Sequence, residues 1–329
     1  MNNVLVTGGA GYIGSHAVLA LLEEDYNPII LDNFVHGHKE LVERLGAEVI
    51  VGDVGDVALV SNILIKRNIT SVMHFAAYAY VGESVKSPAK YYLNNVAATA
   101  SLLDSMVKTG VNKFVFSSSC ATYGLPASLP ICESAEQRPI SPYGHSKRMV
   151  EQMLADFERA YGLQSVIFRY FNAAGADPGG RVGERHEPET HLIPLVLQAA
   201  LGQRSGITVF GTDYLTPDGT CIRDYVHVSD LVSAHMHGLR HLEKDGASDT
   251  FNLGIGKGYS VLEIIEAAKT VTGCDINVNY GPRRAGDPPI LYAESKKVQR
   301  ILGWEPKCTD IETMINDAWH WHKKDSSRW

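Results

Sequence analysis

The 329-residue sequence predicts an α/β protein in which a doubly wound parallel sheet of Rossmann type carries a smaller α/β lobe. Three observations predict it. The chain opens as strand, glycine turn, helix and strand. Short apolar runs then go on alternating with helical stretches as far as Asn172. After that the texture becomes mixed, and a stretch rich in glycine, proline and charge leads into further short elements. The expected division is a sheet domain over 1–172 and a second lobe over 173–329, with chain near 225–242 packing back on the first domain.

The first strand is Val4-Leu5-Val6, followed at once by Thr7-Gly8-Gly9-Ala10-Gly11-Tyr12-Ile13-Gly14. Residues 12–24 read as an amphipathic helix and Ile29-Ile30-Leu31 as the second strand. Gly8, Gly11 and Gly14 let the backbone turn tightly and approach a pyrophosphate, which then sits on the helix N-terminus. Asp32 ends the second strand, where a carboxylate accepts hydrogen bonds from ribose hydroxyls and repels a 2′-phosphate, so NAD is favoured over NADP. Val49-Ile50-Val51 leads to Asp53, placed to meet the adenine edge. Val72-Met73-His74-Phe75 opens on Ala76-Ala77, and His74, inside an apolar run, reads as a satisfied core histidine.

One long helix is predicted over 88–108, with Asn94 and Asn95 inside it. Phe114-Val115-Phe116 then runs into Ser117-Ser118-Ser119, just past a strand's carboxyl end, where ligands bind in open parallel sheets. Ser117 and Ser118 read as turn caps and Ser119 as a ligand-facing hydroxyl.

Tyr143 and Lys147 stand four apart in Ser141-Pro142-Tyr143-Gly144-His145-Ser146-Lys147, on one face of a helix running to about Tyr161. Bringing a tyrosine pKa from ~10 to near 7 takes about 4 kcal/mol. An ammonium ~5 Å away at an effective dielectric of ~20 is worth about 3 kcal/mol, and a second positive charge such as an oxidised nicotinamide makes up the rest. Ser165–Asn172 is a further strand, and 173–188 reads as a linker or mobile loop over a site. Helices near 192–201, 229–242, 261–271 and 311–322 and a strand at 207–210 complete the chain.

Composition excludes other classes. A net charge of −7 without a basic block argues against nucleic acid or an anionic membrane as partner, so an anionic substrate must be met by local arginines. The Val4–Val6 run is too short for an export or membrane segment. Five scattered cysteines without a Cys-x-x-Cys pair suit reduced thiols and a cytoplasmic protein. The pairs His36/His38, His235/His237 and His320/His322 point their members in different directions on a helix, and no metal is expected.

With these motifs the chain resembles the extended short-chain dehydrogenase/reductase family and, more narrowly, its UDP-galactose (UDP-glucose) 4-epimerases. The resemblance is carried by Thr7–His16, Val81–Ser84, Phe116–Ser119, Ser141–Gly144 and Arg169–Asn172. Downstream it adds Phe210–Tyr214, Asp218–Thr220, Arg223–Tyr225, Asn252–Gly254 and Arg283–Asp287. It implies a reaction without net redox, in which hydride leaves carbon 4 of the hexose for NAD and returns to the opposite face after the keto sugar turns about its diphosphate. Tyr143 would take the hydroxyl proton, Lys147 would lower the tyrosine pKa and hold the nicotinamide ribose, and Ser119 would order the transfer.

By the same resemblance Gly8, Gly11, Tyr12, Ile13, Gly14, Asp32, Asn33, Asp53 and Val54 would hold the dinucleotide. Phe75, Ala76, Ala77, Asn94, Ser117, Tyr143, Lys147 and Tyr170 would do so further along. A UDP-sugar would be met by Ser119, Tyr143, Asn172, His191, Leu192, Phe210, Arg223, Arg284, Asp287 and Leu291. The chain departs from the family at Ala79, where many epimerases carry lysine, and Leu291 is intermediate at a position that tunes sugar size. Other UDP-sugars (N-acetylhexosamine, pentose or uronic acid) are the alternative substrates. A dehydratase or decarboxylase would need a carboxylate beside Ser119, where the chain has Cys120-Ala121-Thr122. A non-catalytic NAD sensor would have no need of the Ser119, Tyr143 and Lys147 set. The resemblance implies a homodimer joined through the helices of 88–108 and 142–161.

Overall fold

The computed structural model describes residues 2–284 and 287–326. Strands β1 (Asn3–Thr7), β2 (Asn27–Asp32), β3 (Glu48–Val51), β4 (Ile69–His74), β5 (Lys113–Ser117) and β6 (Gln164–Tyr170) lie in one parallel sheet. The later strands are β7 (Asn172–Ala174), β8 (Ile207–Phe210), β9 (Ile222–His227), β10 (Asp249–Leu253), β11 (Gly258–Ser260), β12 (Val278–Gly281) and β13 (Ile290–Leu291). Of these, β10 pairs in parallel with β6 and completes the order β3-β2-β1-β4-β5-β6-β10. The order reverses at β1/β4, the switch point at which such sheets open a crevice.

Helices α1 (Tyr12–Glu23), α2 (Lys39–Glu43), α3 (Val57–Lys66), α4 (Val81–Lys86), α5 (Pro88–Tyr91), α6 (Ala98–Thr109) and α7 (Pro142–Tyr161) connect the first six strands. Beyond them come α8 (Leu192–Ala200), α9 (Val228–Glu243), α10 (Val261–Thr272), α11 (Lys296–Leu302) and α12 (Ile311–Ser326). Both faces of the sheet are buried, as a parallel sheet requires. Along β1, Val4 and Val6 enter the core cluster that includes residues of α1 and α9, while Leu5 enters the opposite one with residues of α3, α6 and α7. No helix among the described residues is long and apolar enough to cross a membrane.

The first strands and helices stand where the hydrophobic pattern places them. Three features differ from expectation. The helix expected over 88–108 is broken: between α5 and α6 lies a π-helical turn, Tyr92–Ala97. There the buried Asn95 side chain accepts from the Tyr78 amide at 2.9 Å and donates to the Tyr78 carbonyl at 2.9 Å and Ser146 Oγ at 3.1 Å. The segment 173–188 is no loose linker. Ala173 and Ala174 pair with β9, Val182 and Glu184 are buried, and Trp321 Nε1 donates to the Glu184 carbonyl at 2.9 Å. The large sheet also reaches past residue 172, since β10 is one of its strands. Helix α9, from the chain near 225–242, packs on α1, β5 and β6.

The smaller lobe holds a four-stranded sheet, in which β9 is central between β11, β13 and β7, and a parallel β8/β12 pair. Its core gathers residues from α8, α10 and α12. Trp319 and Trp321 are buried there and beside it, as packing residues.

Candidate active site

A cleft of about 430 Å³ opens at the carboxyl ends of the central strands. Gly8, Gly11, Tyr12, Ile13 and Gly14 line it from the turn after β1, and Asp32 and Asn33 from the end of β2. Asp53 and Val54 follow β3, and Phe75, Ala76 and Ala77 follow β4. Asn94 comes from the π turn, Ser119 from beyond β5, Tyr143 and Lys147 from α7, and Tyr170 and Asn172 from the end of β6. His191 and Leu192 close the far side at the start of α8.

The glycine turn leaves no room for side chains. Gly8 has φ +72°, and a Cβ there would lie 2.6 Å from the Ala76 amide nitrogen. A Cβ on Gly14 would lie 2.1 Å from the Gly8 carbonyl oxygen. Only glycine lets this turn pack so closely, and its backbone lines the cleft at the start of α1. The buried Asp32 carboxylate accepts from the Ala10 amide at 3.0 Å and the Phe34 amide at 2.8 Å, while burial pushes its pKa up. Nearby, Asn33 Nδ2 donates to Asp53 Oδ2 at 3.1 Å.

The catalytic candidates stand on the start of α7. Ser141 caps that helix by accepting from the Gly144 amide at 3.2 Å, and Pro142 occupies its first turn. Tyr143 and Lys147 are both buried, with Lys147 Nζ 5.9 Å from the Tyr143 ring centroid. The Ser119 side chain lies beside the Tyr143 hydroxyl, where it favours the phenolate. Lys147 Nζ donates to the Ser117 carbonyl at 2.7 Å.

Burial sets the electrostatics of this pair. It pushes the Tyr143 phenol up, against the Ser119 hydroxyl, and pulls the Lys147 ammonium down to about 7. The expected drop in the tyrosine pKa is therefore absent here, because desolvation outweighs the Ser119 hydroxyl.

The three serines divide their roles differently from expectation. Ser119 is the cap, its hydroxyl accepting from the Ala121 amide at 3.1 Å, and it also meets Tyr143. Ser118 donates to Glu151 at 2.5 Å. Ser117 lies behind the cleft with its hydroxyl 2.9 Å from His235 Nε2, so its contribution is the carbonyl that holds Lys147. His74 is a core residue between Thr7 Oγ1 (2.6 Å) and Thr99 Oγ1 (3.0 Å), and burial pulls its pKa down to about 3.

Phe210, Arg223, Arg284, Asp287 and Leu291 form a second group outside the cleft's own wall. Arg284 stacks over the Phe210 ring at 4.1 Å, and Arg223 forms an ion pair with Asp287. Leu291 pairs with Arg223 across β13 and β9 and packs beside Phe171. The group is joined to the cleft through Asn172, whose Nδ2 donates to the Asp224 carbonyl at 2.9 Å. Ala285 and Gly286 of the Arg283–Asp287 motif lie outside the described residues.

Sequence reasoning missed one feature of the wall. Glu184, His186, Glu189 and His191 bring their ligand-type atoms within 4.8 Å of one another. Burial pulls the His191 pKa down, but the charge and hydrogen bonds of Glu184 and Glu189 prevail and raise it to about 10. The repeated Glu-x-His spacing was the available signal, in a segment whose composition reads as a loop. His235, His237 and His320 each have a separate backbone carbonyl partner, on Leu231, Leu302 and Asn316.

The NAD dependent epimerase/dehydratase family matches residues 4–254. A UDP-glucose 4-epimerase of Halalkalibacterium halodurans is 54% identical over 98% of this chain and 96% of its own. The crystal structure of UDP-glucose 4-epimerase from Brucella ovis in complex with NAD superposes with a TM-score of 0.95 at 48% identity, covering 98% of both chains. That of UDP-glucose-4-epimerase from Stenotrophomonas maltophila, with bound NAD and formylated UDP-arabinopyranose, gives 0.97 at 38% identity over the whole of both chains.

Proposed function

The chain belongs to the NAD dependent epimerase/dehydratase family, and from that premise we propose that it interconverts UDP-galactose and UDP-glucose. It is an NAD-dependent isomerase acting at carbon 4 of the hexose, through oxidation, rotation of the keto sugar and reduction on the opposite face. The observation that carries this reading is the Ser119–Tyr143–Lys147 set, gathered where a sugar hydroxyl can reach the tyrosine.

The residues present fit the dinucleotide. Gly8 and Gly14 hold a turn whose close backbone packing admits no Cβ, at the start of α1 where a pyrophosphate would sit, and Asp32 stands at the end of β2 with Asn33 and Asp53 beside it. The large lobe would therefore hold NAD along Gly8–Gly14, Asp32, Val54, Phe75–Ala77 and Asn94, as far as Lys147 and Tyr170. When bound, NAD supplies the hydride acceptor and donor for carbon 4.

The protein's own groups manage the proton. Tyr143 takes it from the 4-hydroxyl, Ser119 bridges hydroxyl and phenol, and Lys147, held by the Ser117 carbonyl, stabilises the phenolate. Asn172, His191 and Leu192 meet the UDP-sugar from the cleft wall. Arg223, Arg284, Phe210, Asp287 and Leu291 reach it from the smaller lobe, where guanidinium groups answer the diphosphate. Arg223 must exchange its Asp287 partner, or share it, to do so.

We place the enzyme in the cytoplasm, supported by its five free cysteines. We assign it as a homodimer through α7 and the segment from α5 to α6. Leu93 and Met149, exposed at 68% and 43%, supply an apolar face there. Light scattering should give twice the chain mass, and Leu93→Lys with Met149→Lys should return it to one.

The function is tested by incubating the purified protein with UDP-galactose and no added cofactor. Appearance of UDP-glucose supports the activity and a retained NAD together. Rescue by added NAD would show a weak cofactor grip at the Ala79 wall, and silence under both conditions would overturn the substrate assignment.

A further inference from the structure

We propose that Glu184, His186, Glu189 and His191 form a binding site for one divalent metal ion of zinc type, which fastens the segment ahead of α8 along the cleft wall. The geometry is that of a nitrogen–oxygen ligand set. Glu184 Oε1 lies 3.1 Å from His186 Nδ1 and 2.8 Å from His191 Nδ1. Glu189 Oε1 lies 3.2 Å from His191 Nδ1, and its Oε2 lies 3.9 Å from His186 Nδ1. Zinc bonds of ~2.0–2.2 Å in tetrahedral array place neighbouring ligand atoms roughly 3.3–3.6 Å apart, and the four ligand-type atoms, all within 4.8 Å of one another, lie close enough for side-chain rotation to gather them on one ion.

Sequence and packing prepare the site. The segment spells Glu-x-His twice within 184–191, and an extended chain turns residues two apart to the same side. His186 is held edge-on by the Tyr12 and Tyr80 rings, at centroid distances of 6.3 and 6.0 Å. The carboxylates of Glu184 and Glu189 keep only 6% and 4% of their side-chain surface exposed.

Two carboxylates so placed demand positive charge. A divalent ion supplies two units and satisfies all four ligand atoms together. Two imidazoles and two carboxylates suit zinc better than magnesium or calcium, which prefer all-oxygen shells. The ion's role is to position the segment, and no step of the epimerase reaction runs through it.

The test uses the purified holoenzyme, stripped with a chelator, desalted and titrated with zinc chloride alone. The expected result is one zinc per chain retained through gel filtration and a saturable rise in melting temperature. His186→Ala should lose that zinc while the absorbance of bound NAD persists. Should this variant fail to fold, Glu189→Gln decides, with zinc affinity falling at least about tenfold, since even outer partners of a metal site are worth that much. Failure of the wild-type protein to retain zinc, or equal retention by wild type and the folded variant, overturns the site.

Discussion

Tyr143 shows how little of a residue's chemistry lies in the residue. Its hydroxyl sits on Ser119, and burial has raised its pKa, so the phenolate needs positive charge brought to it in the cleft. Tyr143→Phe should lower turnover of UDP-galactose by ~10²-fold or more and leave the NAD content of the purified protein unchanged. Lys147 gives the opposite sign of prediction. A base whose folded pKa is depressed to about 7 pays for its buried charge below that pH, and the penalty fades from 7 towards the ordinary lysine value of 10.5, a range in which the unfolded chain holds more protons. Lys147→Met should therefore stabilise the fold at pH 6 by on the order of 2 kcal/mol, after loss of the Ser117 hydrogen bond, while abolishing turnover. Urea unfolding beside the UDP-galactose assay checks both halves. The four-residue spacing of this pair and the three glycines were legible in the sequence because each is local. The division of labour among Ser117, Ser118 and Ser119 was not, because a hydroxyl's partner comes from a distant helix (His235 or Glu151).

At the scale of elements, α7 is held to the sheet by charge as well as by its apolar face. Glu151 on α7 pairs with Arg169 on β6 at 2.6 Å, both nearly buried, and Ser118 and Gln137 complete the carboxylate's partners. Glu151→Ala would leave a guanidinium buried without its anion and should cost roughly 3–5 kcal/mol in urea unfolding. Glu151→Gln, which keeps the hydrogen bonds, should cost less. Strands and helices of the first half could be read from period and punctuation, since each buried strand is an apolar run beside a turn. The π turn at Tyr92–Ala97 could not, because the extra residue is accommodated by Asn95 bonding to a separate loop. Strand β10 also escaped notice: Asp249–Leu253 is short, and its partner β6 lies far back in the chain.

For the whole molecule, acid is the informative stress. His16, His74 and His235 are buried, and burial pulls their pKa values down to about 4, 3 and 4. As pH falls below 6.5 the unfolded chain takes up these protons and the folded one does not, so stability declines from there towards pH 4. Each histidine contributes roughly 3 kcal/mol to that decline by pH 4, which together approaches the ~5–15 kcal/mol of a typical fold. The urea midpoint should fall steeply between pH 6.5 and 4.5, and cooperative unfolding should be complete near pH 4 without denaturant. A flat midpoint across that range would contradict the buried neutral imidazoles.

The large sheet's seventh strand has a further consequence during synthesis. A ribosome that has just released β6 still has about eighty residues to add before β10 exists, which at ~5–20 residues per second is roughly 4–16 s. Through that interval the nascent sheet presents β6 as an open edge, with α9 also still missing from the face where it packs on β5 and β6. A chain stalled or truncated between residues 172 and 249 is therefore an aggregation-prone client for chaperones, even though every residue of the Ser119–Tyr143–Lys147 set has already been made.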